Sequence, residues 1–266
     1  MADPAPGSGA EAPIAASLAA QRTLRLVLSY DGTAFHGWQV QPDVPTIQGL
    51  LLERARAVLG GEVRLVGASR TDAGVHALRQ AASLTTTSRL AASAVMPALN
   101  AGLPREVRVL QAAEASPGFD ARRSAAGKRY LYLMDAAPVA APLLVRYAWH
   151  VPGRLDVDAM RAGLASLRGR HDFSAFCAAP GREADPTCLV RALHVRRAKT
   201  RVAVLVSADR FLHHMVRNIV GSAVEVARGA REPAWLAEVL AGKDRTRAGP
   251  TAPAHGLTLV RVLYPR

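Results

Sequence analysis

The sequence predicts an α+β chain made of two successive β-α-β-β-α-β units, and three observations lead there. Half of the 266 residues are hydrophobic and 21% are charged, which is enough to bury a core and too apolar for global disorder. Apolar residues alternate with period two in some segments and recur at helical spacing in others. The order strand, helix, strand, strand, helix, strand runs twice, although the sequence itself shows no repeat.

Each element has its own reason. Leu24–Tyr30 alternates apolar and polar residues and reads as a strand. Gly, Pro and Asp punctuate Asp31–Pro45 as a loop. Thr46 can cap a helix to about Leu59, with Ile47, Leu50, Leu51, Ala55 and Val58 on one face. Gly60-Gly61 stops it. Val63–Ala68 and Ala77–Thr86 are strands around the tight Thr71–Val75 connection. Ser88–Leu99 is a helix and Val107–Ala113 a strand. In the second unit Arg129–Met134 is a strand, Tyr147–Val151 an extra one and Asp156–Leu167 a helix. Leu189–Arg196 and Val202–Ser207 are strands, Phe211–Ala227 a long helix, Pro233–Leu240 a short one and Leu257–Leu263 the last strand.

Such units place helices on one face of an antiparallel sheet. Two ferredoxin-like subdomains are therefore expected, at 22–118 and 119–266. Residues 1–21, rich in Ala, Pro, Gly and Ser, are expected to form a flexible tail. Gly7, Gly9 and Ala12 match G-x-G-x-x-A there, but no strand precedes them, so they make no dinucleotide fingerprint.

Basic residues outnumber acidic ones 34 to 21, a formal net charge of +13. The tail carries Asp3 and Glu11 and no basic residue, so residues 22–266 alone carry +15. That excess favours a polyanionic partner, nucleic acid before an anionic membrane. Lys128, Lys199 and Lys243 are the only lysines; arginine grips phosphates bidentately and stacks on bases. Cys177 and Cys188 make no disulfide framework and suit a reducing compartment. No apolar run approaches the roughly 20 residues that span a bilayer, and no basic residue precedes Arg22 to open a signal peptide. The expectation is a cytoplasmic protein without membrane contact.

The richest polar stretch of the first half is Gly67-Ala68-Ser69-Arg70-Thr71-Asp72-Ala73-Gly74-Val75-His76, between two apolar strands. Asp at a turn is commonplace. Here, however, one tight connection gathers Arg70, Thr71, Asp72 and His76, and Gly74 permits close backbone approach. A guanidinium two residues away keeps a carboxylate ionised and oriented, as a carboxylate nucleophile requires.

Gly67–His76 resembles the G-x-R-T-D-A-G-V-H signature of the tRNA pseudouridine synthase A family. The likeness extends along the chain in the family's order. Tyr30-Asp31-Gly32 and Gly37-Trp38-Gln39 resemble its first-strand motif, and Lys128-Arg129-Tyr130-Leu131-Tyr132 its basic-Tyr-x-Tyr motif. His213-His214-Met215-Val216-Arg217-Asn218-Ile219-Val220-Gly221 resembles its long-helix motif. Lys243-Asp244-Arg245 and Ala252-Pro253-Ala254-His255-Gly256-Leu257 resemble its C-terminal ones. In Phe119-Asp120-Ala121-Arg122 an Asp stands where some members carry His, and Asp120 is given no catalytic role.

The resemblance implies isomerisation of uridine to pseudouridine at positions 38, 39 and 40 of the tRNA anticodon arm, without a cofactor. It implies a homodimer whose two ferredoxin-like halves share one continuous sheet with a basic cleft between them. Asp72 would be the nucleophile, attacking either ribose C1′ or base C6. Arg70 would pair with Asp72 and help open the RNA. Tyr130 would pack on the flipped uracil and take part in proton removal from C5. The stacked target must be flipped out to reach Asp72.

The remaining residues have competing roles. Lys128 and Arg129 tip Tyr130, otherwise ordinary strand packing, towards RNA. Arg217 suits phosphate binding or a surface salt bridge, and on a helix it would share a face with His213. Trp38 reads as packing. His213 and His214 read as structural, since paired histidines are more often so. Arg191, Arg196, Arg197, Lys199 and Arg201 suit backbone contact with RNA. No metal is expected: Cys177, Cys188, His171, His213 and His214 offer neither C-x-x-C nor H-x-x-x-H spacing. One rival is a non-catalytic RNA-binding protein of ferredoxin-like units; another is a two-carboxylate glycosidase, disfavoured because one carboxylate is placed.

Overall fold

The computed structural model describes residues 21–178 and 185–265. Apart from Gln21, the expected tail lies outside the described residues. The first half runs β1 (Arg22–Tyr30), α1 (Ile47–Leu59), β2 (Val63–Gly67), β3 (His76–Thr86), α2 (Ala92–Asn100) and β4 (Val107–Glu114). The second runs β5 (Gly127–Asp135), β6 (Trp149–His150), α3 (Val157–Ala165), β7 (Gly169–Asp172), β8 (Thr187–Ala198) and β9 (Arg201–Ala208). It closes with α4 (Met215–Ala227), α5 (Trp235–Gly242) and β10 (Leu257–Leu263).

These strands make one mixed sheet in the order β4-β1-β3-β10-β5-β9-β8-β7, with β2 on β3 and β6 on β5. Among the described residues only β10 on β3 and β6 on β5 run parallel. The long β3 explains the continuity. Its C-terminal end pairs with β2, from Val63 opposite Thr86 to Gly67 opposite Ala82. Its first residues are left to meet β10, Thr258 opposite His76 and Leu259 opposite Ala77. The last strand of the chain thus lies at the start of β3, just after the Asp72 turn.

Local chemistry sets the helix starts. Extended Thr46 caps α1, its hydroxyl accepting from Gly49 N at 3.2 Å. Asp156 caps α3 through Asp158 N and Ala159 N. Helix α1 buries Ile47, Leu51, Ala55 and Leu59 along one stripe, each large aliphatic side chain contributing about 1.5–3 kcal/mol. Trp38 is packing, as expected: it is 1% exposed, and a Cβ on Gly67 would lie 2.3 Å from its ring.

Three elements depart from expectation. Helix α2 starts at Ala92 rather than Ser88, because the Thr86 hydroxyl accepts from Ser88 N and the Ser88 hydroxyl from Leu90 N, holding a non-helical turn. Helix α4 starts at Met215 rather than Phe211, because His214 sits in the left-handed region at φ 59°. His213 therefore precedes the helix and shares no helical face with Arg217. The short β7 pairs with β8, Gly169 opposite Val190, and its Gly-Arg-His-Asp sequence carries no apolar alternation to announce it.

Candidate active site

The turn between β2 and β3 carries Asp72, and neutral hydrogen bonds hold it in place. Thr71 O accepts from Trp38 N at 3.0 Å, and its buried hydroxyl meets Tyr30 OH at 2.8 Å. Asp72 O accepts from Val75 N at 3.1 Å, and Gly74 takes φ +77°. The loop below comes close because Gly37 has no side chain: at its φ of +88° a Cβ would lie 2.6 Å from Thr71 O. Fully buried Gln80 clamps Ser69, donating to its O at 2.7 Å and accepting from its N at 3.3 Å.

The second half faces this turn with charge. Arg217, in the first turn of α4, donates from Nη1 to Asp72 Oδ2 at 3.1 Å and from Nε to Ala252 O at 2.7 Å. Its own carbonyl accepts from Ala252 N at 3.1 Å. His214 Nε2 lies 3.4 Å from Asp72 Oδ2, and His213 Nε2 4.0 Å from Oδ1. Burial pushes the His214 ring below its ordinary value, against the opposing pull of Asp72 and with help from Arg217, His213 and Arg245. The Asp72 side chain is 28% exposed, so one flank of the carboxylate faces solvent.

Arg217 is braced in turn. Gly221 lets Pro250 O come within 1.7 Å of where a Cβ would stand. Ser222 Oγ accepts from Gly249 N at 2.9 Å. The fully buried Asn218 Oδ1 accepts from Thr251 Oγ1 at 2.6 Å and Arg245 Nη2 at 3.1 Å. Segment 245–252 is thereby latched to α4, and it presents Ala252 O to Arg217.

Tyr130, on β5, joins the two sides. Its OH meets Ser69 Oγ at 2.9 Å, and Phe211 packs edge-on against its ring at 5.0 Å. Burial pushes the phenol up to about 12, against the Ser69 hydrogen bond and with the Asp72 charge adding to the rise. It therefore stays protonated at neutral pH. Lys128, two residues earlier, shares the Tyr130 face. Burial, with Arg122 and Arg210 nearby, pushes its ammonium down to about 8.

The expected site residues are thus only partly brought together. Asp72, Tyr130 and Arg217 converge. Arg70 is exposed and, among the described residues, forms no ion pair with Asp72; the turn that follows carries the carboxylate towards Arg217 instead. Arg129 alternates to the face opposite Tyr130. Arg217, considered for phosphate contact or a surface salt bridge, spends its guanidinium on Asp72 and Ala252, in a pair that is largely buried. His213 and His214, read as structural, stand beside the carboxylate, and Ser69 and Phe211 gain contacts with Tyr130. No local signal marks the Asp72–Arg217 pair, whose members are 145 residues apart. Asp120 caps its own turn, its carboxylate accepting from Arg122 N and Arg123 N. Cys177 and Cys188 are buried and unbridged.

The family model described as tRNA pseudouridine synthase matches residues 26–122 and 164–265. The chain is 45% identical over 242 residues to a tRNA pseudouridine synthase A of Myxococcus xanthus, covering 91% of each. It is 44% identical over 251 residues to that of Chloroflexus aurantiacus, covering 92% of this chain and 89% of the other. With that of Methylococcus capsulatus it shares 43% over 244 residues, covering 91% and 89%.

Proposed function

This chain belongs to the tRNA pseudouridine synthase family, and from that premise we infer that it modifies positions 38, 39 and 40 of the anticodon arm with Asp72 as nucleophile. It is an isomerase that forms pseudouridine in tRNA. The observation that carries the nucleophile is the Asp72 carboxylate: half-buried, paired with Arg217 at 3.1 Å and open on one flank. The guanidinium hydrogen bond orients the carboxylate, and an anionic carboxylate oxygen is the atom that attacks carbon. The carboxylate oxygen adds to ribose C1′ or to uracil C6. Either way the C1′–N1 bond breaks, uracil rotates, C1′–C5 forms, a proton leaves C5, N1 takes one up and the carboxylate is freed. Atoms balance without a cofactor.

The target uridine leaves its stack to reach Asp72. Exposed Arg70, two residues away, is free to open the RNA, and the Tyr130 and Phe211 rings offer the uracil a packing surface. Lys128, and Arg129 on the other face, supply cationic contacts. We read residues 22–118 and 119–266 as two ferredoxin-like subdomains. The strand orders support this: β4-β1-β3 with β2 on β3, and β10-β5-β9-β8.

We also read the active species as a cytoplasmic homodimer. A chain with +13 net charge repels its copy except where charge is sparse. Segment 136–148 offers such a surface, with Val139, Leu143, Val145 and Tyr147 exposed and Arg146 its only charge. Among the described residues no helix is long and apolar enough to cross a membrane.

The test is single-turnover conversion of an unmodified tRNA by folded Asp72→Asn protein. Asn keeps the shape and loses the anionic nucleophile, so conversion should disappear while tRNA binding, spread over many basic contacts, survives. Conversion at the wild-type rate would return the chain to the non-catalytic RNA-binding reading.

A further inference from the structure

We propose that Asp72, His213 and His214 form a transition-metal site at which a divalent ion of the zinc type reversibly switches the carboxylate off. The inhibition rests on the nucleophile reading above; the binding rests on geometry alone. One ligand atom from each of the three side chains lies within 4.8 Å of the other two. His214 Nε2 is 3.4 Å from one carboxylate oxygen and His213 Nε2 is 4.0 Å from the other. Nitrogen and oxygen ligands at about 2.0–2.1 Å from a tetrahedral zinc stand roughly 3.3 Å from one another. The first contact already matches that spacing, and the second closes by about 0.7 Å on the same geometry.

The set can also be reached. The His213 side chain is 49% exposed, so its ring has room to swing, and the solvent-facing flank leaves the fourth position to water. Among the described residues, the two rings touch only Asp72 and each other through their polar atoms, so ligation breaks no other hydrogen bond. The left-handed backbone at His214 stacks the two rings with centroids 3.9 Å apart, both offering Nε2 to the same carboxylate. Two imidazoles and one carboxylate are a donor set suited to Zn²⁺ and Co²⁺ rather than Mg²⁺, which prefers oxygen.

One group opposes binding. The Arg217 guanidinium sits 3.1 Å from Oδ2 and repels a dication. The ion is therefore held by both carboxylate oxygens, with His213 beside Oδ1 and His214 beside Oδ2, shares Oδ2 with Arg217, and is bound more weakly than in a closed structural site. Coordination takes the lone pair that attack on the uridine requires and draws both imidazoles over the carboxylate. No covalent bond changes, so a chelator reverses it.

The experiment uses the full chain purified without a polyhistidine tag. Co²⁺ is titrated in and followed by its visible absorption bands, and Zn²⁺ is then added as competitor. The variants are Asp72→Asn, His213→Gln and His214→Asn, the last chosen because Asn tolerates a left-handed backbone. We expect one Co²⁺ per wild-type chain, displaced by Zn²⁺, with affinity falling about tenfold or more in each variant while circular dichroism is unchanged. Zn²⁺ should suppress single-turnover conversion by the wild type, and chelator should restore it. No Co²⁺ binding by the wild type at millimolar metal, or binding equal in all three variants, overturns the site. If Asp72→Asn lost Co²⁺ but still converted tRNA, the metal site would stand and the nucleophile assignment would fall.

Discussion

The two sides of the site are built from different materials. On the first side the Asp72 turn is held by uncharged groups: Trp38 N on Thr71 O, Tyr30 OH on the Thr71 hydroxyl, Gln80 on Ser69. On the second side the chain of contacts ends in charge. Segment 245–252, latched to α4, presents Ala252 O to Arg217, and Arg217 presents its guanidinium to Asp72. Uncharged hydrogen bonds fix where the carboxylate is; the opposite half supplies its counter-charge. Position and charge pairing are thus separable, and each can be broken alone.

The largest effect should come from Gly221→Ala, which removes no polar group. The new methyl carbon would meet Pro250 O at 1.7 Å, and backbone cannot yield as a flexible side chain does. Overpacking of this kind costs about 3 kcal/mol. Thermal or urea unfolding should show that loss, and conversion should fall because Ala252 moves away from Arg217. Gly37→Ala is the counterpart on the uncharged side, with Thr71 O at 2.6 Å and φ +88°. It should displace Asp72 while leaving the Arg217–Ala252 contacts intact. Equal activity in Gly221→Ala and wild type would show that the charged side needs no brace.

Next is Arg217→Gln. The ion pair is largely buried, with side chains 14% and 28% exposed, so losing a charge-assisted hydrogen bond should cost about 2 kcal/mol of stability. The rate should fall further than stability explains, because Asp72 loses its counter-charge and the hydrogen bond that orients it. Arg217→Lys sharpens the point: it restores charge but not the second hydrogen bond to Ala252, and should recover part of the rate. A rate in Arg217→Gln that falls no further than its stability loss explains would remove Arg217 from the working of Asp72.

Lys128 tests whether the charged half carries an electrostatic cost when RNA is absent. Its folded value of about 8 lies below the ordinary 10.5, so the charged form disfavours the fold. The wild type should gain stability as pH rises from about 8 to 10.5, keep that contribution above 10.5, and lose it as pH falls through 8. Lys128→Met should therefore be the more stable protein at pH 7, by on the order of 1–2 kcal/mol, with the advantage fading through that window. Its tRNA affinity should drop, since a phosphate that pairs with the ammonium is no longer matched. Urea unfolding at two pH values and a binding titration at fixed salt check both halves.

The same division governs what could be read in the sequence. Strand β10 and helix α1 were legible to the residue or nearly so, because alternation, a Thr cap and a Gly-Gly stop are local signals. The Asp72 turn was legible because its polar residues are contiguous. The start of α4 was not, since Phe211–His214 fits a helical pattern until the backbone of His214 turns left-handed. The partner of Asp72 was not either. Arg70 is its neighbour in sequence, but the seam between β3 and β10 brings Arg217 to the carboxylate from the other half. The Asp72 turn itself is contiguous and readable; the contacts that hold it, Tyr30 and Trp38 on Thr71 and Arg217 on Asp72, depend on tertiary packing.

The smallest effect is expected where the two sides touch without charge, at Tyr130. Tyr130→Phe keeps the ring against Phe211 and removes only the bond to Ser69 Oγ at 2.9 Å. Such a bond contributes about 1 kcal/mol net, so stability should fall by about that amount. The phenol, pushed up to about 12, carries almost no phenolate at neutral pH and is a poor proton acceptor before substrate arrives. If the ring acts by packing on the uracil, Tyr130→Phe should convert tRNA within about tenfold of the wild type, the loss that 1.4 kcal/mol of misplacement produces. A loss of several orders of magnitude with the stability change still near 1 kcal/mol would assign proton transfer at C5 to the hydroxyl. Measuring single-turnover rate and unfolding free energy on the same preparation separates these outcomes: beyond the cost of the lost Ser69 bond, a packing defect lowers both quantities and a missing proton acceptor lowers the rate alone.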